Sequence, residues 1–229
     1  MPTHYHPRHR RASRPAIALA GPDPLTYGGA MGWYDWFAPM YDGSLEALYA
    51  DARARAADAL ELAGATRVLD LPVGTGQSLG PILARASEGA TVVGADLSRG
   101  MLAQAARRVR AQGWESRVEL VQSDVHALEV GGYDRLHVFL GLTAFPRYEE
   151  AFARLWDGLT PGGRAVVVDV YAARPGFQGK MVNLVARADI TRRAWEPLER
   201  VARGYERVAL PPNAKYGGEL WLASGDKPT

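Results

Sequence analysis

Val68-Leu69-Asp70-Leu71-Pro72-Val73-Gly74-Thr75-Gly76 is an apolar run of strand length that ends in an acid and turns through two glycines, after which apolar residues recur at helical spacing. Glycine lets backbone approach a ligand closely, and the start of the next helix offers N–H groups with no partner of their own. The same grammar continues downstream. Strands are predicted at Arg67–Leu71, Thr91–Ala95, Val118–Gln122, Arg135–Leu140 and Ala165–Val170, with helices at Gln77–Arg85, Ser98–Gln112 and Tyr148–Leu159 between them. Strand and helix in alternation specify a parallel sheet with crossover helices, whose ligands bind beyond the carboxyl ends of the strands. Lys180–Arg187 and Thr191–Ala202 then read as helices, followed by strands at Tyr205–Leu210 and Glu219–Ala223. The short Pro211–Gly218 loop makes the last pair a hairpin, so the expected fold is α/β, with a seven-stranded mostly parallel sheet whose last strand is antiparallel.

Upstream of the first strand, Leu45–Leu62 is apolar at helical spacing with no Pro or Gly inside it, and Trp33–Tyr49 is aromatic and partly helical. Residues 1–30 have no periodicity and are expected to be a disordered basic tail, with Met31 as an alternative initiator. The apolar run Ala16–Ala20 is too short for the core of a signal peptide. A chain of 229 residues fits one sizeable domain.

Hydrophobic residues at 47% and charged residues at 23% are those of a globular protein, and no run reaches the ~18 apolar residues of a membrane span. The absence of cysteine excludes disulfides, thiolate metal sites and a cysteine nucleophile, and a reducing cytoplasm is expected by default. Arg8, Arg10, Arg11 and Arg14 against Asp23 put a net +3 in residues 1–30, which leaves 23 basic and 24 acidic residues, or −1, for the remainder. A neutral folded part does not suggest a nucleic-acid partner. The scattered acids lack metal spacing, and His4, His6 and His9 lie in the tail, so no metal is expected.

Two further strand ends sharpen the ligand. Val92-Val93-Gly94-Ala95-Asp96 places an acid about twenty residues past the glycine turn, where a carboxylate can take both hydroxyls of a ribose, and Ser98 is a suitable N-cap for the next helix. After the third strand, Asp124 of Gln122-Ser123-Asp124-Val125 can accept an adenine amino group while Val125 lies against the ring. Glycine turn and ribose acid together favour an adenosine-containing ligand.

The ordered set VLDLPVGTG, GADLSRGML, QSDVHAL, YDRLHVFLGLTAF and LTPGGRAVVVDV, over about residues 60–171, resembles the motifs of the Rossmann-like (class I) S-adenosylmethionine-dependent methyltransferases. The lead-in Trp33-Tyr34-Asp35-Trp36-Phe37-Ala38-Pro39-Met40-Tyr41-Asp42 is similar to that of the ubiquinone/menaquinone-biosynthesis subgroup. The resemblance implies S-adenosylmethionine as cofactor, with Asp70, Gly74, Thr75 and Gly76 around its methionine part and Asp96 on its ribose. It further implies Leu97 and Met101 beside the adenine, Asp124 and Val125 at its edge, and Leu140, Gly141 and Leu142 as a floor below the sulfonium. Pro72 stands where the family has its first loop glycine, which removes an N–H and requires a negative φ there. The implied layout is a lid at 31–62, a cofactor-binding core at 63–171, a substrate cover at 172–203 and a terminal hairpin at 204–229.

An NAD-dependent oxidoreductase is the nearest physical competitor. It uses a Gly-x-Gly-x-x-Gly series, whereas here the third position after Gly76 is Leu79, and Asp70 would repel a pyrophosphate but not the charged amino group of a sulfonium ligand. Methyl transfer needs positioning more than a base, so the acceptor side is less marked. Tyr41, paired with Tyr34 as an aromatic lid, and Tyr171, at the end of the fifth strand, are the candidate catalytic residues. His137 reads as a buried structural histidine rather than a base, His126 as a surface residue, Asp42 as a helix start, and Asp169 as a buried acid in need of a partner. Lys180, Arg187, Arg192 and Arg193 are either a solvated basic face or a contact for an anionic headgroup. The expected partner is a small-molecule or lipid-like acceptor (a quinone, phenol or amine), met with at most peripheral membrane contact by a monomer or homodimer. A protein on this fold that binds S-adenosylmethionine without catalysis is the rival from another class. A nucleic-acid methyltransferase fits less well, since Gly141-Leu142-Thr143-Ala144-Phe145 replaces the Asn/Asp-Pro-Pro-aromatic loop such enzymes carry.

Overall fold

A computed structural model of the protein describes residues 47–129 and 131–229. Helix α1 (47–59) leads into β1 (Arg67–Asp70), α2 (Leu79–Leu83), β2 (Thr91–Asp96), α3 (Arg99–Gln112) and β3 (Val118–Gln122). After β4 (Tyr133–Phe139) come α4 (Tyr148–Gly158), β5 (Leu159–Tyr171), α5 (Phe177–Ala186), α6 (Glu196–Val201), β6 (Arg203–Ala209) and β7 (Glu219–Asp226). The seven strands form one sheet in the order β3-β2-β1-β4-β5-β7-β6. β1 to β5 run parallel, and β7 is antiparallel to both of its neighbours, as the hairpin pattern predicted. The order reverses at β1, so β1, β2 and β4 end side by side, and the loops after them face a common crevice.

Two apolar layers fix the sheet. On one face Ala52, Ala56 and Leu60 of the α1 region, with Leu79 and Ile82 of α2, cover Val68, Val166 and Val168. On the other, Phe152, Leu155 and Trp156 of α4 and Leu198 of α6 cover Leu69, Leu136 and Val167. Successive strand residues point to opposite faces, which is why these two sets alternate along β1 and β5. The C-terminal end of α1 is pinned to the sheet by two guanidinium groups: Arg164 Nε donates to the Ala59 carbonyl at 2.7 Å and Arg135 Nε to the Leu60 carbonyl at 2.8 Å. The last carbonyls of an α-helix have no partners within it, and here two strands supply them.

Three elements depart from the expected bounds. α2 is five residues long because Gly80-Pro81 weakens helix propagation, leaving turns on either side. α6 begins at Glu196 rather than Thr191, since Pro197 can occupy only the first turn of a helix. β5 runs thirteen residues, starting at Leu159, because Thr160–Gly163 stays in the sheet through a register shift against β4 between Tyr133 and Arg135.

Candidate functional site

The β1–α2 turn takes its shape from its glycines. Gly74 and Gly76 have φ of +54° and +82°, a region costly for side-chain-bearing residues. A Cβ on Gly76 would lie 3.0 Å from Leu79 Cδ1 and 3.3 Å from the Ala105 Cβ, whereas one on Gly74 would meet open space. Pro72 follows a cis peptide bond, and its ring rests on the loop after β4: a Cβ on Gly141 would fall 2.5 Å from Pro72 Cδ. Gly141 therefore permits the contact that joins the two loops.

Three titratable side chains meet beneath this turn. Asp70, at the end of β1, lies opposite His137 in the parallel register with β4, and its Oδ1 is 2.7 Å from His137 Nδ1. Both side chains are buried, and Asp70 Oδ2 and His137 Nε2 have no hydrogen-bond partner among the described residues. Asp96, at the end of β2, accepts from the Gly74 N–H at 2.9 Å and the Ser98 N–H at 2.8 Å. Burial pushes the Asp96 carboxyl up to about 6, the backbone donors of Ser98 and Gly74 oppose that shift, and repulsion from Asp70 adds to it. Two neighbouring buried carboxylates, one with an unpartnered oxygen, favour a cation and disfavour a phosphate.

The remaining predicted positions surround the same strand ends. Thr75 is buried, and its carbonyl accepts from Arg108 Nε at 3.3 Å. Ser98 caps α3 by accepting from the N–H of Met101, itself buried, as the sequence anticipated. The Leu97 carbonyl accepts from Gln122 Nε2, and the Ser123 N–H bonds to the Asp96 carbonyl, so the ends of β2 and β3 stay together. Asp124 Oδ1 accepts from the His126 N–H at 2.7 Å, which shapes the loop, and Val125 is buried beside it. His126 Nε2 lies 2.9 Å from the Pro146 carbonyl oxygen. Leu140 has φ +55°, unusual for a side-chain-bearing residue, and its N–H donates to the Val168 carbonyl at 2.7 Å.

Asp169 finds the partner that its sequence position demanded. Thr143 donates to it from Oγ1 at 2.7 Å and from its N–H at 3.0 Å, and the Val170 N–H adds a third bond. Burial nevertheless raises its carboxyl to about 6. Tyr171 is half-buried, its ring edge-on to Trp195 at 5.1 Å and its hydroxyl beside the Arg193 guanidinium. Arg192 ties down the loop after β4 by donating to the Thr143 and Phe145 carbonyls, and its guanidinium lies over the Tyr148 ring. Lys180 and Arg187 are exposed at α5. Tyr34, Tyr41 and Asp42 lie outside the described residues, as do residues 1–30, expected as a tail, and residues 31–46 of the segment expected as a lid. Among the described residues, no group of His, Asp and Glu could hold a metal ion.

The Asp70–His137 contact is the main feature that local sequence patterns do not give. Both residues end or approach the end of a strand with the same facing, so aligning β1 with β4 in parallel register would have paired them.

Comparison with known proteins adds an independent line. The family model for the methyltransferase domain matches residues 68–163. A demethylmenaquinone methyltransferase of Thermus thermophilus is 42% identical over 139 residues, 58% of this chain and 61% of that protein. A phosphatidylethanolamine N-methyltransferase of Cereibacter sphaeroides is 30% identical over 154 residues, 66% of this chain and 73% of the relative. Alignments with the first relatives span between 40% and 61% of their lengths. Among solved structures, geranyl diphosphate C-methyltransferase from Streptomyces coelicolor A3(2), 17% identical, superposes with a TM-score of 0.66 over 77% of this chain and 76% of that one. Kinship in sequence over most of one relative, together with the shared architecture, settles descent: the chain belongs to the Rossmann-like (class I) S-adenosylmethionine-dependent methyltransferases.

Proposed function

We propose that the protein transfers a methyl group from S-adenosylmethionine to a small-molecule or lipid-like acceptor. The observation that carries this reading is the pair of buried acids at the ends of β1 and β2, Asp70 and Asp96, which repel one another; Asp70 Oδ2 has no partner among the described residues. A ligand that brings positive charge relieves that repulsion, and one that brings pyrophosphate worsens it. The names of two relatives, a demethylmenaquinone methyltransferase and a phosphatidylethanolamine N-methyltransferase, support a lipid-like acceptor.

In this reading Asp70, Gly74, Thr75 and Gly76 hold the methionine part, with the open space over Gly74 as its seat. Asp96 takes the ribose hydroxyls: an ionised carboxylate has about four acceptor positions, and backbone donors use only part of them. Leu97 and Met101 flank the adenine, Asp124 and Val125 meet its edge, and Leu140, Gly141 and Leu142 form the floor. When bound, the cofactor supplies a methyl group already activated by its positive sulfur. The chain's part is to hold donor and acceptor in line and to exclude water. Thr143 and Asp169 serve that end by fixing the loop after β4, since every bond of the Asp169 carboxylate is turned to that loop or to its own strand. Tyr171 and Tyr41 are assigned to the acceptor side. The same reading has the protein work in the cytoplasm as a monomer or homodimer, without a nucleic-acid partner. No helix among the described residues is long and apolar enough to cross a membrane.

Calorimetry tests the reading directly. Stoichiometric binding of adenosylmethionine or adenosylhomocysteine is expected, with Asp96→Ala weaker by at least about tenfold, as removal of two charge-assisted hydrogen bonds implies. Binding of NADH with neither sulfur ligand bound would overturn it. Labelled cofactor offered with a cell lipid extract, then with a polar extract, separates the acceptor classes.

A further inference from the structure

Helix α5 leaves β5 at the same end of the sheet where the acids of β1 and β2 lie. Its inner face is fixed by contact. A Cβ on Gly179 would lie 2.7 Å from the Gly217 carbonyl oxygen and 3.0 Å from Ile190 Cδ1, and Asn183 Oδ1 accepts from the Ile190 N–H at 3.0 Å. At about 100° per residue, Phe177, Met181 and Leu184 fall on the opposite face. They are 81%, 39% and 72% exposed, and they are three of the five large apolar side chains exposed among the described residues.

Along this segment the charge has one sign, with Glu219 of β7 the acid that lies beside the Arg174 turn. From Val170 to Ala188 there is no acidic residue, while Arg174, Lys180 and Arg187 are all exposed. A stripe of apolar side chains bordered by cations, on a segment with no acid of its own, matches a surface that is anionic outside and apolar beneath. We propose that α5 and the Arg174 turn before it form a docking strip for an anionic lipid surface. The strip sets the mouth of the cleft against the bilayer, where a lipid-like acceptor would be met; that last step rests on the function proposed above, whereas the docking does not.

The test is cosedimentation of the full chain with vesicles of phosphatidylcholine alone and of phosphatidylcholine with about one third phosphatidylglycerol, where each nearby cation is worth about fivefold in affinity. Binding to the anionic vesicles, little to the neutral ones, and release by high salt are expected. Phe177→Asp combined with Leu184→Asp should lower binding about tenfold or more, and Arg174→Glu or Lys180→Glu about fivefold or more each. All four side chains are exposed, and circular dichroism checks that each variant is folded. Binding that survives the double substitution belongs to another basic segment, such as the arginines of residues 1–30, and overturns the proposal. Equal binding to neutral vesicles overturns it too, as does a dimer of the wild type that the double substitution dissociates, since the stripe is then a self-interface. Adenosylhomocysteine calorimetry on the same preparations reports separately on the cofactor site: its failure sinks the proposed function and leaves the docking standing, and the reverse holds for failure on vesicles.

Discussion

Lowering the pH from 7 to 5 should weaken adenosylhomocysteine binding about tenfold, because the group assigned to the ribose, Asp96, ionises near about 6. Only the carboxylate can accept both ribose hydroxyls. It is about nine-tenths ionised at pH 7 and about one-tenth at pH 5, so apparent affinity falls by the ratio of those fractions. Ligand hydrogen bonds also favour the ionised form, so binding near pH 6 should release about half a proton, seen in calorimetry as a heat that depends on the buffer's own ionisation enthalpy. The loss is not unfolding caused by this group. A carboxyl raised from 3.8 to about 6 binds its proton more tightly in the folded state, so its contribution to stability falls as pH rises through that window, by about 3 kcal/mol at most, and is regained on acidification. Asp96→Asn should bind weakly at every pH, without the slope, and Asp169→Asn should keep it although Asp169 also titrates near about 6. A flat affinity between pH 7 and pH 5, or a slope that persists in Asp96→Asn, would refute the assignment.

Three other outcomes follow from single contacts. His137→Ala removes the one side-chain partner that Asp70 has among the described residues and should weaken adenosylhomocysteine about tenfold, as loss of a charge-assisted bond implies, while His137→Asn retains a donor and most of the affinity. In the same calorimetric series 5′-methylthioadenosine, which lacks the amino-acid end, should bind all three proteins alike; parallel losses for both ligands count against a role at that end. Thr143→Val removes the 2.7 Å bond to Asp169 and should cost about 1–3 kcal/mol in urea unfolding, with a larger cost at pH 8, where the carboxyl is ionised, than at pH 5. Gly76→Ala combines a left-handed φ with close approach to Leu79 and Ala105, and a loss of about 1–3 kcal/mol is expected in thermal melts; an unchanged melt would show that the turn relaxes freely.

What the amino-acid order made legible was whatever depends on neighbours along the chain. The Gly74–Gly76 turn, the acids closing β1 and β2, and the Ser98 cap all follow from local chemistry within a few residues, and all stand where expected. The seven strands, parallel but for the last, were legible for a similar reason, since period-two segments alternate with helical ones and a short loop joins the last pair; their order across the sheet, with β7 between β5 and β6, was not. Contacts between strands were harder. His137 reads as an ordinary buried histidine until β1 is laid beside β4, and only then does it face Asp70. Asp169 announced a need for a partner, but Thr143 lies in a loop whose path no periodicity describes. The early start of β5 and the late start of α6 were misplaced because a register shift and a single Pro197 override the propensities of the residues around them.

The placement of β7 has a consequence for how the chain reaches its native state. This strand comes after β6 in synthesis, yet it occupies the slot between β5 and β6, and both of its edges are bonded. Until β7 has been made, β6 has no companion and β5 keeps an open flank, so the exposed ladder of β5 is an invitation to wrong pairing during translation. Completion of the fold therefore waits on a long-range closure, and refolding followed by circular dichroism is expected to show the β7 pairing last.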